Sequence, residues 1–284
     1  MVQSAAVIGS GAMGSQIAMV CALAGVKVVL NDIEQESLDT AKRNLQSLMK
    51  RRIKKGKLSE QDVKQAFQNI TFTINFDDAV HEADIVIEAI IENLEAKISL
   101  FKRLEEKVSS ETILATNSST IVSSKLANFM EKSERVCNMH FFNPALVMDL
   151  VEVVKGEHTS TATANHVVDF SKRIGKTPIL IKKEVQGFVV NRILNAINDE
   201  ALWLYENGIA DFKDIDLGCK KGLNHPIGPF ELLDLTGIDV NYHIKEIMYK
   251  ETNDEKDKPS RTLEQKYKEN KLGRKTGEGF YTYE

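Results

Sequence analysis

Cysteine is scarce: Cys21, Cys137 and Cys219 are the only three in 284 residues, and they lie far apart. That leaves neither a disulfide framework nor a CxxC metal clip, so the sequence gives metal chemistry no support. Long apolar runs are missing as well. The longest candidate, Ile17 to Leu30, is broken by Lys27, short of the roughly 20 apolar residues a membrane helix needs. The opening Met1-Val2-Gln3-Ser4 lacks the basic start of a secretory leader, so a cytoplasmic address is expected. Nor is there an excess of positive charge: 37 basic residues stand against 41 acidic, a net of -4. That balance argues against nucleic acid or an anionic membrane as partner. Repeats and low-complexity segments are absent too. An ordinary globular composition with 42% hydrophobic residues remains, and the length favours two domains over one.

Within that length, the first thirty residues read as strand, turn, helix, strand. Ser4 to Ile8 is a short apolar run broken by Gly9; Met13, Ile17, Val20 and Ala24 then recur at helical spacing until Gly25, and Val26 to Leu30 reads as a second strand. Further apolar, β-branched runs follow at Ala83 to Ile90, Thr112 to Ala115, Val136 to Met139, Leu150 to Val154 and Ile179 to Ile181, most of them separated by helical patterns. In one spacer Leu94, Ile98, Phe101 and Leu104 share a face, with Lys97, Lys102, Glu105 and Glu106 elsewhere. Such alternation predicts a doubly wound, mainly parallel α/β domain over about residues 1–183. Residues 34–70 read as a helical insertion with a hinge near Lys55-Gly56-Lys57. Beyond Gly187 only helical periodicity continues, so residues 188–284 are expected to form an all-α second domain. Its first helix runs from Phe188 to Asn207, helix starts are expected at Asp211, Pro229 and Thr236, and Asn253 to Pro259 reads as an exposed loop.

Gly9-Ser10-Gly11-Ala12-Met13-Gly14 matches GxGxxG between a strand and a helix. The first glycine permits the turn, the second lets backbone approach a pyrophosphate at the helix N-terminus, and the third lets helix pack on strand. Asp32 stands 18 residues beyond Gly14, at the end of the second strand, where a carboxylate accepts hydrogen bonds from ribose hydroxyls and repels a 2′-phosphate. Asn31, Asp32 and Ile33 offer no arginine for that phosphate, so NAD is expected rather than NADP. A plain glycine turn with a capping aspartate is the alternative.

Of the six histidines, His140 has the telling address, ending the run Val136 to Met139, because ligands of open α/β sheets collect beyond the carboxyl ends of strands. Glu152 interrupts the apolar run Leu150 to Val154, so it either faces water on an edge strand or is buried for a purpose. On consecutive strands the two could meet. A carboxylate on one ring nitrogen fixes the tautomer and leaves the other to act as a base, as alcohol oxidation by a nicotinamide requires. Asn117-Ser118-Ser119-Thr120, after another strand, and Asn191, on the first helix of the second domain, could hold a substrate oxygen; helix caps or a surface residue are the plainer readings. From Lys42 to Lys57 there are eight basic residues and no acidic one. On an acidic protein such a patch should attract a polyanion, although a solvated helix face explains it equally well.

Taken together, these residues resemble the short-chain L-3-hydroxyacyl-CoA dehydrogenase family, most closely its bacterial 3-hydroxybutyryl-CoA dehydrogenases. The resemblance rests on Val7 to Gly14, Glu88-Ala89-Ile90-Ile91-Glu92-Asn93, Asn117-Ser118-Ser119, His140-Phe141-Phe142-Asn143-Pro144, Leu150-Val151-Glu152-Val153, Gly187 to Arg192 and His225-Pro226-Ile227-Gly228-Pro229. It implies His140 as base and Glu152 as its partner, with Ser119 and Asn191 holding the substrate's 3-oxygen and thioester region. It also implies Asp32, Glu92, Lys97, Asn117 and Asn143 as NAD contacts beside Gly9, Gly11, Ala12, Met13 and Gly14. The coenzyme A tail would lie near Lys54, Lys55 and Lys57, and a homodimer would form through the helical domain. Gln186 and Leu146 stand where the family pattern has proline, and Asp149 where it has lysine. A dehydrogenase of free hydroxy acids, which would have no need of the lysine cluster, is the rival enzyme; a non-catalytic NADH-sensing module is the rival of another class.

Overall fold

The computed structural model describes residues 2–283, except the side chain at position 251. The chain divides into two compact units, residues 1–188 and residues 189–284. In the first, β1 (Ser4–Ile8), α1 (Ala12–Leu23), β2 (Lys27–Asn31), α2 (Gln35–Lys54), α3 (Glu60–Gln68) and β3 (Ile70–Thr73) form one half. The other half comprises α4 (Phe76–Val80), β4 (Ile85–Glu88), α5 (Leu94–Lys107), β5 (Ile113–Thr116), α6 (Ser124–Ala127), β6 (Val136–Phe141), β7 (Leu150–Val154), α7 (Thr161–Arg173) and β8 (Thr177–Ile181).

The eight strands lie in the order β3-β2-β1-β4-β5-β6-β7-β8. All neighbours are parallel except β6 and β7, which pair antiparallel. Period-two alternation serves both faces: Ala5 and Val7 of β1 join the core that includes Ile17 and Met19 of α1 and Leu45 of α2. Ala6 and Ile8 join the opposite core, with Phe101 and Leu104 of α5. Burial on both faces explains why these strands read as continuous apolar runs. The order reverses between β1 and β4, the switch point where an open α/β sheet gathers ligands. Strand β3 was not expected from the sequence. Its four residues, Ile70-Thr71-Phe72-Thr73, alternate too briefly beside a helical stretch, and pairing with β2 defines them.

The second unit contains α8 (Val190–Glu206), α9 (Phe212–Gly222), α10 (Pro229–Thr236), α11 (Ile238–Thr252) and α12 (Arg261–Lys268). Its core gathers Ala201, Leu202, Phe230, Leu233, Ile238, Leu263 and Phe280, with Phe212 packed against them. Asp211 caps α9 through the Lys213 N–H, as its position suggests. Three expectations are corrected. Helix α8 begins at Val190, because Phe188 adopts a left-handed φ of +50° that no α-helix accommodates. Thr236 closes α10 rather than opening the next helix, which starts after Gly237 at φ +104°. The segment from Asn253 to Pro259 is not wholly an exposed loop: it holds a short 3₁₀ turn over Glu255–Asp257, and Asp257 is buried, accepting from the Thr252 hydroxyl at 2.7 Å. Among the described residues no helix is long and apolar enough to cross a membrane.

Candidate active site

The glycine turn sits at the switch point. Gly9 holds φ at +101°, and a Cβ there would collide with the carbonyl of Ala89 just past β4. A Cβ on Gly14 would run into the carbonyl of Gly9, so only glycine lets α1 seat on the turn. Gly11 is the N-cap of α1, with open space where a Cβ would stand, and the first turn, which contains Ala12 and Met13, carries no acidic residue and no side-chain cap. Uncapped N–H groups at the positive end of a helix are what a pyrophosphate needs. Asp32 follows β2 directly, and its Oδ2 accepts from the Ser10 N–H at 2.8 Å and the Ser10 hydroxyl at 2.7 Å. The acid therefore both shapes the turn and offers negative charge beside it, and the set fits NAD.

Next along the sheet edge lies a buried network centred on a residue the sequence reading did not single out. Glu88, the last residue of β4, is 0% exposed. Its Oε1 accepts from Lys97 Nζ at 2.5 Å and from the Ile90 N–H at 2.7 Å, and its Oε2 from the Thr116 hydroxyl at 2.6 Å. Helical phase puts Lys97 off the apolar face of α5, yet it is buried at 1% exposure, drawn inward by Glu88 and also 3.2 Å from Glu92. A buried charge needs such partners. Glu92 accepts hydrogen bonds from the hydroxyls of Ser118 and Thr120. Burial pushes its carboxyl up, but those hydroxyls and Lys97 outweigh burial and hold it below the usual carboxylate range. An acid ending an apolar strand was the clue to Glu88, the same kind of signal that drew attention to Glu152.

His140 and Glu152 are direct cross-strand partners in the antiparallel β6–β7 pair. Nδ1–H of His140 donates to Glu152 Oε2 at 2.9 Å, and both residues are buried. His140 does not terminate its strand, as the sequence suggested, but lies inside it, because pairing with β7 carries β6 on to Phe141. Glu152 is not at an edge either: β8 covers the far side of β7 and leaves the acid 0% exposed. Two aromatic rings flank the imidazole, Phe142 at 4.6 Å and Phe188 at 5.6 Å between centroids. The unusual φ of Phe188, after Gly187 at +75°, is what turns its side chain into the first unit.

Asn117 accepts the Phe141 N–H through its side-chain oxygen at 2.9 Å, tying the end of β5 to the strand of His140. Ser119 is half-buried in the following loop and, among the described residues, makes no side-chain hydrogen bond. Asn143 is exposed in the segment after β6; Lys54, Lys55 and Lys57 are exposed at the end of α2 and in the turn after it. Asn191 occupies the first turn of α8 in the second unit. His158, a histidine outside the proposed chemistry, is half-buried with Nε2 3.3 Å from the hydroxyls of Ser123 and Thr159.

Comparison with known proteins now decides the family. The profile for "3-hydroxyacyl-CoA dehydrogenase, NAD binding domain" matches residues 4–185, and that for "3-hydroxyacyl-CoA dehydrogenase, C-terminal domain" matches residues 187–283. The chain belongs to the 3-hydroxyacyl-CoA dehydrogenase family. Its relatives include the human mitochondrial hydroxyacyl-coenzyme A dehydrogenase, 40% identical over 99% of this chain and 91% of that protein. The 3-hydroxybutyryl-CoA dehydrogenase of Clostridioides difficile is 39% identical over 98% of each chain. Among solved structures, the (S)-3-hydroxybutyryl-CoA dehydrogenase of Ralstonia eutropha superposes with a TM-score of 0.93 at 39% identity, covering both chains fully. This 3-hydroxyacyl-CoA dehydrogenase is thus an NAD-dependent oxidoreductase, with a Rossmann-type domain followed by a helical domain.

Proposed function

We propose that the chain interconverts L-3-hydroxybutyryl-CoA and acetoacetyl-CoA, with His140 as the general base. The observation that carries this reading is the buried 2.9 Å bond between His140 Nδ1 and Glu152, which leaves Nε2 as the nitrogen for the substrate hydroxyl. Bound NAD supplies the hydride acceptor. In the oxidative direction His140 takes the 3-hydroxyl proton, and Glu152 balances the imidazolium that results. Ser119 and Asn191 hold the 3-oxygen and the thioester region. The Gly9–Gly14 turn, with Ala12 and Met13, takes the pyrophosphate, Asp32 the adenosine ribose, and Glu92, Lys97, Asn117 and Asn143 the rest of the dinucleotide. Lys54, Lys55 and Lys57 face the phosphates of coenzyme A. The names of the relatives support the substrate, as does the basic patch. The reading includes a cytoplasmic setting and a homodimer through the helical unit, where Trp203, Ile209 and Ile247 expose apolar surface.

The test compares acetoacetyl-CoA with acetoacetate at equal concentrations, following NADH absorbance. Turnover restricted to the thioester is expected; equal turnover of the free acid would replace this reading with the free hydroxy acid dehydrogenase.

A further inference from the structure

Two residues before His140, β6 carries a polar side chain that the mechanism does not use. Asn138 is 0% exposed, and on a strand of period two it shares the face of His140. Its amide spans the loop that follows β5. Nδ2–H donates to the carbonyl of Ile121 at 3.0 Å and to that of Ser118 at 3.3 Å, while Oδ1 accepts the N–H of Ser123 at 2.7 Å. These three bonds bracket Ser119.

The opposite side of the loop is held separately. Asn117 is tied to Phe141, and the Ser118 and Thr120 hydroxyls donate to Glu92. Each neighbouring polar side chain is therefore committed, whereas Ser119 has no side-chain bond among the described residues. We propose that Asn138 is a positioning residue for the reaction: it fixes the Ser119 hydroxyl relative to His140 by anchoring the Ser119 loop to the strand that carries the base. This inference rests on the assignment of Ser119 to the substrate's 3-oxygen.

The chemistry of the site demands an amide. Two carbonyls need donors and one N–H needs an acceptor. Leucine of similar shape would leave all three groups unpaired, and aspartate would set a carboxylate against two carbonyl oxygens. A buried asparagine that merely satisfied the backbone would support stability alone. One that positions Ser119 must act through it, and a mutant cycle separates the two.

The experiment measures acetoacetyl-CoA reduction by the full chain carrying Asn138→Ala, Ser119→Ala or both, with Asn138→Ser as a milder variant that keeps one hydroxyl. Displacement of a positioning group by about 1 Å costs on the order of 100-fold, so Asn138→Ala is expected to lower kcat by roughly 10- to 100-fold, with Asn138→Ser in between. NADH affinity should stay within about twofold, because Asn117 and Glu92, the cofactor contacts beside this loop, keep their own ties to Phe141 and Lys97. In the Ser119→Ala background the further loss on removing Asn138 should shrink to under about threefold. Losses that multiply in the double variant, or a normal kcat in both Asn138 variants, overturn the inference and leave the assignment of Ser119 standing. A normal kcat in Ser119→Ala overturns that assignment, and the inference with it.

Discussion

Replacing Glu152 with glutamine probes the charge of the buried pair while nearly preserving its shape. The carboxylate sits 2.9 Å from Nδ1 with no solvent exposure, so little water screens it when the imidazole becomes an imidazolium. Two unit charges about 4 Å apart at an effective dielectric near 20 attract by roughly 4 kcal/mol. A glutamine oxygen still accepts the Nδ1–H, and the gap between a charged and a neutral hydrogen bond is about 1 to 2 kcal/mol. These figures bracket the loss at roughly 1 to 4 kcal/mol, or about 5- to 1000-fold in kcat. The assay is the initial rate of NADH formation from 3-hydroxybutyryl-CoA at saturating NAD, with thermal melting and NADH affinity as controls for the fold. If kcat stays within twofold of the parent while the fold is intact, Glu152 does not stabilise the charged base, and the reasoning from the pair is refuted.

Charge reversal at Lys54 and Lys57 together should raise the KM for acetoacetyl-CoA by about 3- to 30-fold, an effect that fades with salt. The corresponding pantetheine thioester, which lacks the nucleotide phosphates, should be unaffected; equal losses for both substrates would remove the coenzyme A assignment. His158 makes a different prediction. Burial pushes its imidazole below the ordinary value, against the opposing pull of Glu184. The folded state thus binds its proton less readily than the unfolded chain, so the stability it contributes is present above about pH 6.5 and lost as pH falls through that value toward the lower folded one. His158→Gln should flatten the fall in melting temperature between about pH 7 and about pH 5; an unchanged slope would show that His158 does not contribute to it.

The turn at Gly9 and the strand of His140 were legible because their signals are local: three glycines at fixed spacing, and a histidine at the end of an apolar run. What eluded the sequence was lateral. Whether Glu152 was buried depended on β8 lying beyond β7, and no pattern within five residues encodes a neighbour. Helical phase alone puts Lys97 off the apolar face of its helix and does not reveal its burial, because its partner Glu88 lies on a different element. Asn138 interrupts an apolar strand just as Glu152 does. It passed unnoticed because an amide suggests no proton chemistry, and its partners are backbone groups of a loop. The strand β3 failed for want of length. In each case tertiary pairing, not local propensity, made the decision.

The two hydrogen bonds from Ser10 to Asp32 bear on any attempt to convert the enzyme to the phosphorylated dinucleotide. Under the proposed assignment, exchanging the acid for a neutral or basic side chain would remove the repulsion, but it would also release the serine whose backbone belongs to the glycine turn. Relaxed discrimination and a slackened grip on both dinucleotides would arrive in the same variant. A successful switch must therefore redesign Ser10 and Asp32 as one unit, giving the turn a new tether before the extra phosphate is admitted.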